Sequence, residues 1–382
     1  MYIVYLVLAG VQAWYATKKG WMADTKGKGR YLALCCAELI LLVALRGRGV
    51  GSDTATYLDA LAYYSSLPKS EVLFAGLIKP FDFEVAYFGL TKICALINMP
   101  PQVFLGLIAA VIYVPVFMCI HRYSKLPYIS ILAYFAIGQF AYSLGFFRQL
   151  MAFSIVLCGL TYLEKRKLWK FLPFVLIAAT FHRSALFMVV LYVAYAIPFQ
   201  KYVKWLIPAE LACLLLGRPI SLAIVAVLPR YAAYIGGRYD VQGGTYLMLL
   251  LLTVLLLVLM YLHRRGFTDS RLLITALTLA VFVQAVGYSM AVLGRAVLYF
   301  SFFAIFAFSE IVFVMMTRTD LYATVRNDLV SAGGWCVKFA KKHNLTLQKV
   351  VLVLAVVGLF GLFLFSLLGN KYIFPYTFWF MN

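Results

Sequence analysis

Acidic residues are scarce in this chain: 14 Asp and Glu stand against 34 Lys and Arg in 382 residues, and charged side chains of both signs make up 13%. A soluble globular domain carries about a quarter charged residues, so that class is excluded. Signatures for metals and nucleotides are missing too, with no HExxH, no DxD and no Walker loop. The alternating Gly47, Gly49 and Gly51 read instead as loop flexibility. The seven cysteines are scattered, and their one adjacent pair, Cys35-Cys36, suits neither a disulfide framework nor a zinc site. No metal or cofactor is therefore expected, and any chemistry must work through arginines, a histidine and carboxylates. The first residues, MYIVYLVLAGVQAWYATKKG, lack a basic leader and a small-residue cleavage site, so they read as a first span rather than a signal peptide.

What fills the chain is apolar: 64% hydrophobic residues and a mean hydropathy of +0.92. Continuous rather than alternating apolar runs recur along it, and lipid demands that every backbone group be bonded internally. The expected fold is all-α, a polytopic transmembrane helical bundle forming a single integral membrane domain over residues 1–382. Basic turns at His121 to Lys125, Glu164 to Lys170, Lys201 to Lys204 and His263 to Arg265 mark the cytoplasmic side. Spans at 2–17, 31–45, 102–120, 127–144, 149–163, 170–182, 184–198, 202–216, 245–262, 271–292, 296–316 and 349–368 then give about 12 crossings with both termini outside. Residues 85–97, stopped by Asn98-Met99-Pro100-Pro101, and 218–229 are too short to cross and read as re-entrant or interfacial half-helices. Residues 46–84 form an outer segment, 230–244 an outer loop, and 317–348 a cytoplasmic loop with an amphipathic helix. The tail YIFPYTFWFMN reads as an outer interfacial aromatic anchor.

The stretch from Gly145 to Leu186 organises the rest. Two apolar helices run into the basic turn and back, which places Phe147-Arg148-Gln149 beside Phe181-His182-Arg183 at the outer end. In this topology 22 of the 34 basic residues are cytoplasmic; the other twelve are Arg46, Arg48, Lys69, Lys79, Lys92, Arg148, Arg183, Arg218, Arg230, Arg238, Arg295 and Lys371. Most of these are arginine, whose rigid fork of donors matches phosphate oxygens better than the point charge of lysine. An outward arginine set suits an anionic lipid headgroup, above all a diphosphate. Blander readings stand beside this one. Arg218, Arg230 and Lys371 suit snorkelling to lipid phosphates, His182 alone suits a satisfied core histidine, and Asp53 and Glu84 suit simple balance of Arg46 and Arg48. The scattered Glu38, Glu210 and Glu310 suit helix–helix hydrogen bonds.

The motifs LRGRGVGSDTATY, FDFEVAY, FRQLMAFSI, YLEKRKLWK, FHRSAL and GRAVLYF, in this order between residues 40 and 310, resemble the EpsG-like branch of Wzy-type bacterial polysaccharide polymerases. The resemblance implies a GT-C-like bundle and a metal-independent inverting glycosyl transfer at the outer face of the bacterial plasma membrane. Undecaprenyl-diphosphate-linked oligosaccharide would serve as both donor and acceptor, within the lipid bilayer, with room for a chain-length regulator and no nucleic acid. Such a transfer needs charge stabilisation on the leaving diphosphate and removal of a proton from the acceptor hydroxyl. Arg148 and Arg295, with Arg46 or Arg48, fit the first task; His182, Asp53 or Glu84 fits the second, with His182 preferred. Gln149, Arg183, Tyr57, Tyr299 and Arg238 complete the substrate-binding candidates. Two rivals share the chemistry: an O-antigen ligase acting on another acceptor, and a transporter or flippase of an anionic glycolipid. A transporter would be built from two matching halves, and no repeat pairs residues 1–190 with 191–382.

Overall fold

The computed structural model describes residues 1–74, 81–227, 246–318, 344–368 and 375–381, with a few isolated positions between them. Among the described residues all regular structure is helical, apart from one antiparallel bridge between Arg46 and Phe378. In chain order the helices are α1 (Tyr2–Lys18), α2 (Thr25–Ala44), α3 (Thr54–Ser66), α4 (Lys69–Phe74), α5 (Val85–Leu96) and α6 (Pro101–Tyr123). Then come α7 (Pro127–Ala136), α8 (Gln139–Gly145), α9 (Phe147–Cys158), α10 (Leu160–Glu164), α11 (Leu168–Phe181) and α12 (Met188–Ala194). The remainder are α13 (Val203–Leu215), α14 (Gly217–Val227), α15 (Tyr246–Arg264), α16 (Arg271–Gly287), α17 (Ala291–Ser301), α18 (Ala304–Thr317) and α19 (Asn344–Leu368).

Three stretches are long and apolar enough to cross a membrane: Pro101–Tyr123, Tyr246–Arg264 and Leu293–Thr317. Two broken pairs, Pro127–Ala136 with Gln139–Gly145 and Arg183–Ala194 with Phe199–Leu215, raise the number to as many as five. The first break falls at Gly138, whose φ of +80° lies in the left-handed region that a helix interior cannot accommodate. Short apolar helices, α5 and α14 of 12 and 11 residues, stand at the two positions expected to hold half-helices. Asn98, at φ +51°, ends the turn after α5, and Pro101 opens α6 at a position where its missing N–H costs nothing. The expected loop at 230–244 lies almost wholly outside the described residues, as does most of 317–348.

The chain divides into two compact units. The first comprises Met1–Tyr123, Gly138–Val190 and Phe363–Asn382. In it α2 starts at Asp24, whose carboxylate accepts the Gly27 N–H at 3.0 Å. Leu32, Cys35, Cys36, Leu39 and Val43 of α2, spaced three and four apart, are buried where α2 packs on α6. Helix α6 in turn packs on α9, and α9 on α11, so the α9–α11 hairpin forms as the basic turn predicts. Glu38 accepts from Gln12 of α1 at 2.6 Å. The second unit comprises Ser124–Ile137 and Leu191–Leu362, with α16 packed against α13, α15 and α17. Its two internal acids are held in the same manner: Glu210 accepts from Thr253 at 3.1 Å and Glu310 from Thr268 at 2.6 Å. All three glutamates thus serve packing through hydrogen bonds.

The glycine-rich loop corrects one expectation. Gly51 sits at φ +100°, and a Cβ there would fall 2.1 Å from the Leu144 carbonyl oxygen. Thr54 Oγ1 donates to that same carbonyl at 3.1 Å. Close backbone approach, not flexibility, is what this glycine supplies, and it docks the loop onto the end of α8 just before Arg148.

Candidate functional site

Three elements end at one place in the first unit. Helix α11 stops because His182 turns extended, at φ −159° and ψ 121°. Helix α9 starts at Phe147, so Arg148 lies in its first turn. Glu84 occupies the N-cap position of α5 but makes no capping bond, which leaves its carboxylate to point elsewhere. One oxygen, Oε2, accepts from Arg148 Nη1, and the other, Oε1, lies 2.8 Å from His182 Nδ1. Arg148 Nη1 also donates to the Asp82 carbonyl at 3.0 Å. The side chains of Glu84, Arg148 and His182 are 14%, 25% and 25% exposed, so the trio is shielded yet reachable.

Aromatic rings hold this trio. The Arg148 guanidinium stands 5.0 Å from the Phe83 ring, and Tyr57, buried, faces it as well. Tyr57 stacks on Phe147 at 4.6 Å and meets Tyr87 edge-on at 5.2 Å. Burial works against the charge on Glu84, but the His182 hydrogen bond and the charges of His182 and Arg148 outweigh it, holding the carboxyl down at about 2. At neutral pH Glu84 is therefore a carboxylate, which can only accept, so the hydrogen between it and His182 is donated by Nδ1. Arg148 Nε has no acceptor among the described residues. The site thus sets an imidazole and a guanidinium on one carboxylate, with the guanidinium Nε still without an acceptor among the described residues.

The remaining candidates divide. Arg48 pairs with Asp59 at 2.6 Å on an exposed face, so neither Glu84 nor Asp53 balances it. Asp53 stands at the start of α3, half-buried and without a capping bond. Arg46 is wholly buried, 4.8 Å from the Phe147 ring, and no carboxylate reaches it among the described residues. The simple balancing of Arg46 and Arg48 by Asp53 and Glu84 is therefore overturned: Glu84 is committed to Arg148 and His182. Gln149 is buried inside α9, and Arg183 is exposed at the first position after His182. Arg295, exposed, and Tyr299, buried, belong to the second unit, and Arg238 lies outside the described residues. Sequence reasoning missed Phe83 and Tyr87, although aromatic residues immediately before and three after Glu84 in FDFEVAY are the pattern of rings packed around a charge.

With this geometry in view, comparison with known families is decisive: residues 30–322 match the EpsG family. The chain belongs to the EpsG family. The matched range takes in Glu84, Arg148 and His182 as well as Arg295 and Tyr299, and leaves out the tail at 375–381. No curated protein and no solved structure matches the chain. EpsG membership, together with the apolar helices, supports a membrane protein with a glycosyltransferase-like role in polysaccharide polymerisation.

Proposed function

We propose that this EpsG-family chain joins undecaprenyl-diphosphate-linked oligosaccharide units at the outer face of the plasma membrane, by inverting glycosyl transfer that uses guanidinium groups rather than a metal. The observation that carries this reading is the single carboxylate, Glu84, shared between Arg148 and His182. In the proposed step His182 Nε2 takes the proton from an acceptor hydroxyl while Glu84 holds the Nδ1–H and steadies the imidazolium that forms. The freed oxygen attacks the anomeric carbon from the face opposite the diphosphate. The bond from that carbon to the diphosphate oxygen breaks, its electron pair leaves with the lipid diphosphate, and the new negative charge meets Arg148. Glu84 itself is a poor base: both oxygens are engaged, and a carboxyl at about 2 has little affinity for a proton.

Orientation follows from charge. The basic turn between α10 and α11 belongs on the cytoplasmic side, which sends the other end of the hairpin outward. About twelve crossings with both termini outside remain the reading that fits the loop charges, with the broken helices counted as spans or half-spans. Incubating purified protein with lipid-diphosphate oligosaccharide alone tests the function. A ladder of longer products is expected; no reaction until another acceptor is supplied would make it a ligase, and transfer across vesicles without new bonds a flippase. Arg148→Ala and His182→Ala should each lower ladder formation by about a hundredfold or more. Wild-type ladders from both variants would remove the trio from the reaction.

A further inference from the structure

Arg46 is wholly buried, at 0% exposure, and a buried charge is retained only when something compensates it. Its Nε, Nη1 and Nη2 all lack an acceptor among the described residues. The groups that face it are tyrosines, Tyr113, Tyr2, Tyr376 and Tyr87, with no carboxylate among them. The Tyr2 hydroxyl, also buried, lacks a partner among the described residues. A forked cation and a hydroxyl donor, buried and without acceptors among the described residues, are the complement of a phosphate-type oxyanion. The position fits as well, because Phe147, whose ring Arg46 approaches, stacks on the Tyr57 that faces Arg148.

What covers Arg46 is the C-terminal segment. Residues 375–381 run antiparallel to the loop after α2: Gly47 N donates to Thr377 O at 2.7 Å, and Trp379 N to Leu45 O at 3.1 Å. Tyr376 Oη donates to Leu42 O at 2.6 Å, and its ring meets Tyr2 edge-on at 5.3 Å. This is a strap of a few hydrogen bonds, outside the family-matched range, laid across the one buried cation that has no counterion among the described residues. We propose that Arg46 is the seat of a phosphate-type oxyanion, a lipid diphosphate or a free phosphate, and that the 375–381 strap is the lid that must lift to admit it. The identity of the lipid ligand rests on the polymerase reading; the seat and its lid do not.

The test uses full-length protein in nanodiscs with inorganic pyrophosphate as the probe. Wild type should melt higher with pyrophosphate. Arg46→Met should bind it about tenfold more weakly or worse, yet melt no lower than wild type without it, since an unpaired buried guanidinium is replaced by an apolar side chain. Tyr376→Phe, which loses the bond to Leu42, should speed pyrophosphate association by up to about fivefold. Arg46→Lys, retaining the charge without the fork, should bind at an intermediate level. Unchanged pyrophosphate affinity in both Arg46 variants would overturn the seat, and an unchanged association rate in Tyr376→Phe would overturn the lid. Displacement of pyrophosphate by undecaprenyl diphosphate in the nanodisc assigns the seat to the lipid carrier; retention assigns it to free phosphate. Pyrophosphate binding that depends on Arg46 without ladder formation would sink the polymerase reading alone. Ladders formed with Arg46-independent pyrophosphate binding would sink this inference alone.

Discussion

Glu84 gives one oxygen to a guanidinium and the other to an imidazole, so replacing it by an isosteric amide tests both links at once. Glu84→Gln keeps the shape, leaves Arg148 without its counter-charge and lets His182 adopt the wrong tautomer; ladder formation should fall on the order of a hundredfold, and a wild-type rate would end the positioning role. Stability carries the same signature with a definite sign. Because the folded carboxyl sits at about 2 instead of 4.5, its contribution is complete above the ordinary value and is lost as the pH falls toward 2. That loss is on the order of 2 kcal/mol, discounted for the partial exposure of the pair. Wild type should therefore show a steeper fall in melting temperature below about pH 4 than Glu84→Gln, with parallel curves above about pH 5. The juxtaposition of Arg148 and His182 was legible in the sequence, since two helices and a basic turn dictate it. Glu84 as the bridge was not, because its bonds span 64 and 98 residues and no periodicity encodes contacts at that range. Nor could Asp59, rather than Asp53, be picked out as the partner of Arg48.

At the scale of elements, two glycines at positive φ separate crowding from conformation. Gly51→Ala forces a Cβ to within 2.1 Å of the Leu144 carbonyl, so the loop must detach from α8; a loss of about 3 kcal/mol or more and a marked fall in activity should follow. Gly138→Ala meets nothing closer than 3.7 Å, so only the left-handed backbone is penalised, by about 1 kcal/mol. Thermal melting of the two variants side by side checks the ranking, and equal losses would contradict it. The short helices α5 and α14 were readable because proline and length mark them from outside. The break at Gly138 was not, since one glycine in an apolar run looks the same in a straight helix as in a broken one. The stretch from residue 184 to 198 was read as one span. Within it the chain forms a 3-10 turn at Arg183–Phe187 and then the seven-residue α12, a change of helix type that hydropathy does not report.

For the whole molecule, membrane sidedness is the property on which the chemistry turns. In a cysteine-free background, cysteine placed at exposed Ser70 in the outer segment should react with an impermeant maleimide on intact cells, and cysteine at Lys167 in the basic turn only after permeabilisation. The reverse pattern would put the trio in the cytosol and exclude an outer-face reaction. Composition alone made the class legible, because a chain this poor in charge has no soluble alternative. The division into two units was not, for it follows contacts that interleave distant segments, such as the pairing of the C-terminal strap with residues 45–47. The same interleaving governs when the protein can begin to act. Glu84, Arg148 and His182 meet only after the ribosome has released the third of them and the hairpin has closed on α5, so a partly made chain cannot hold the trio, and its presence reports that this hairpin has assembled.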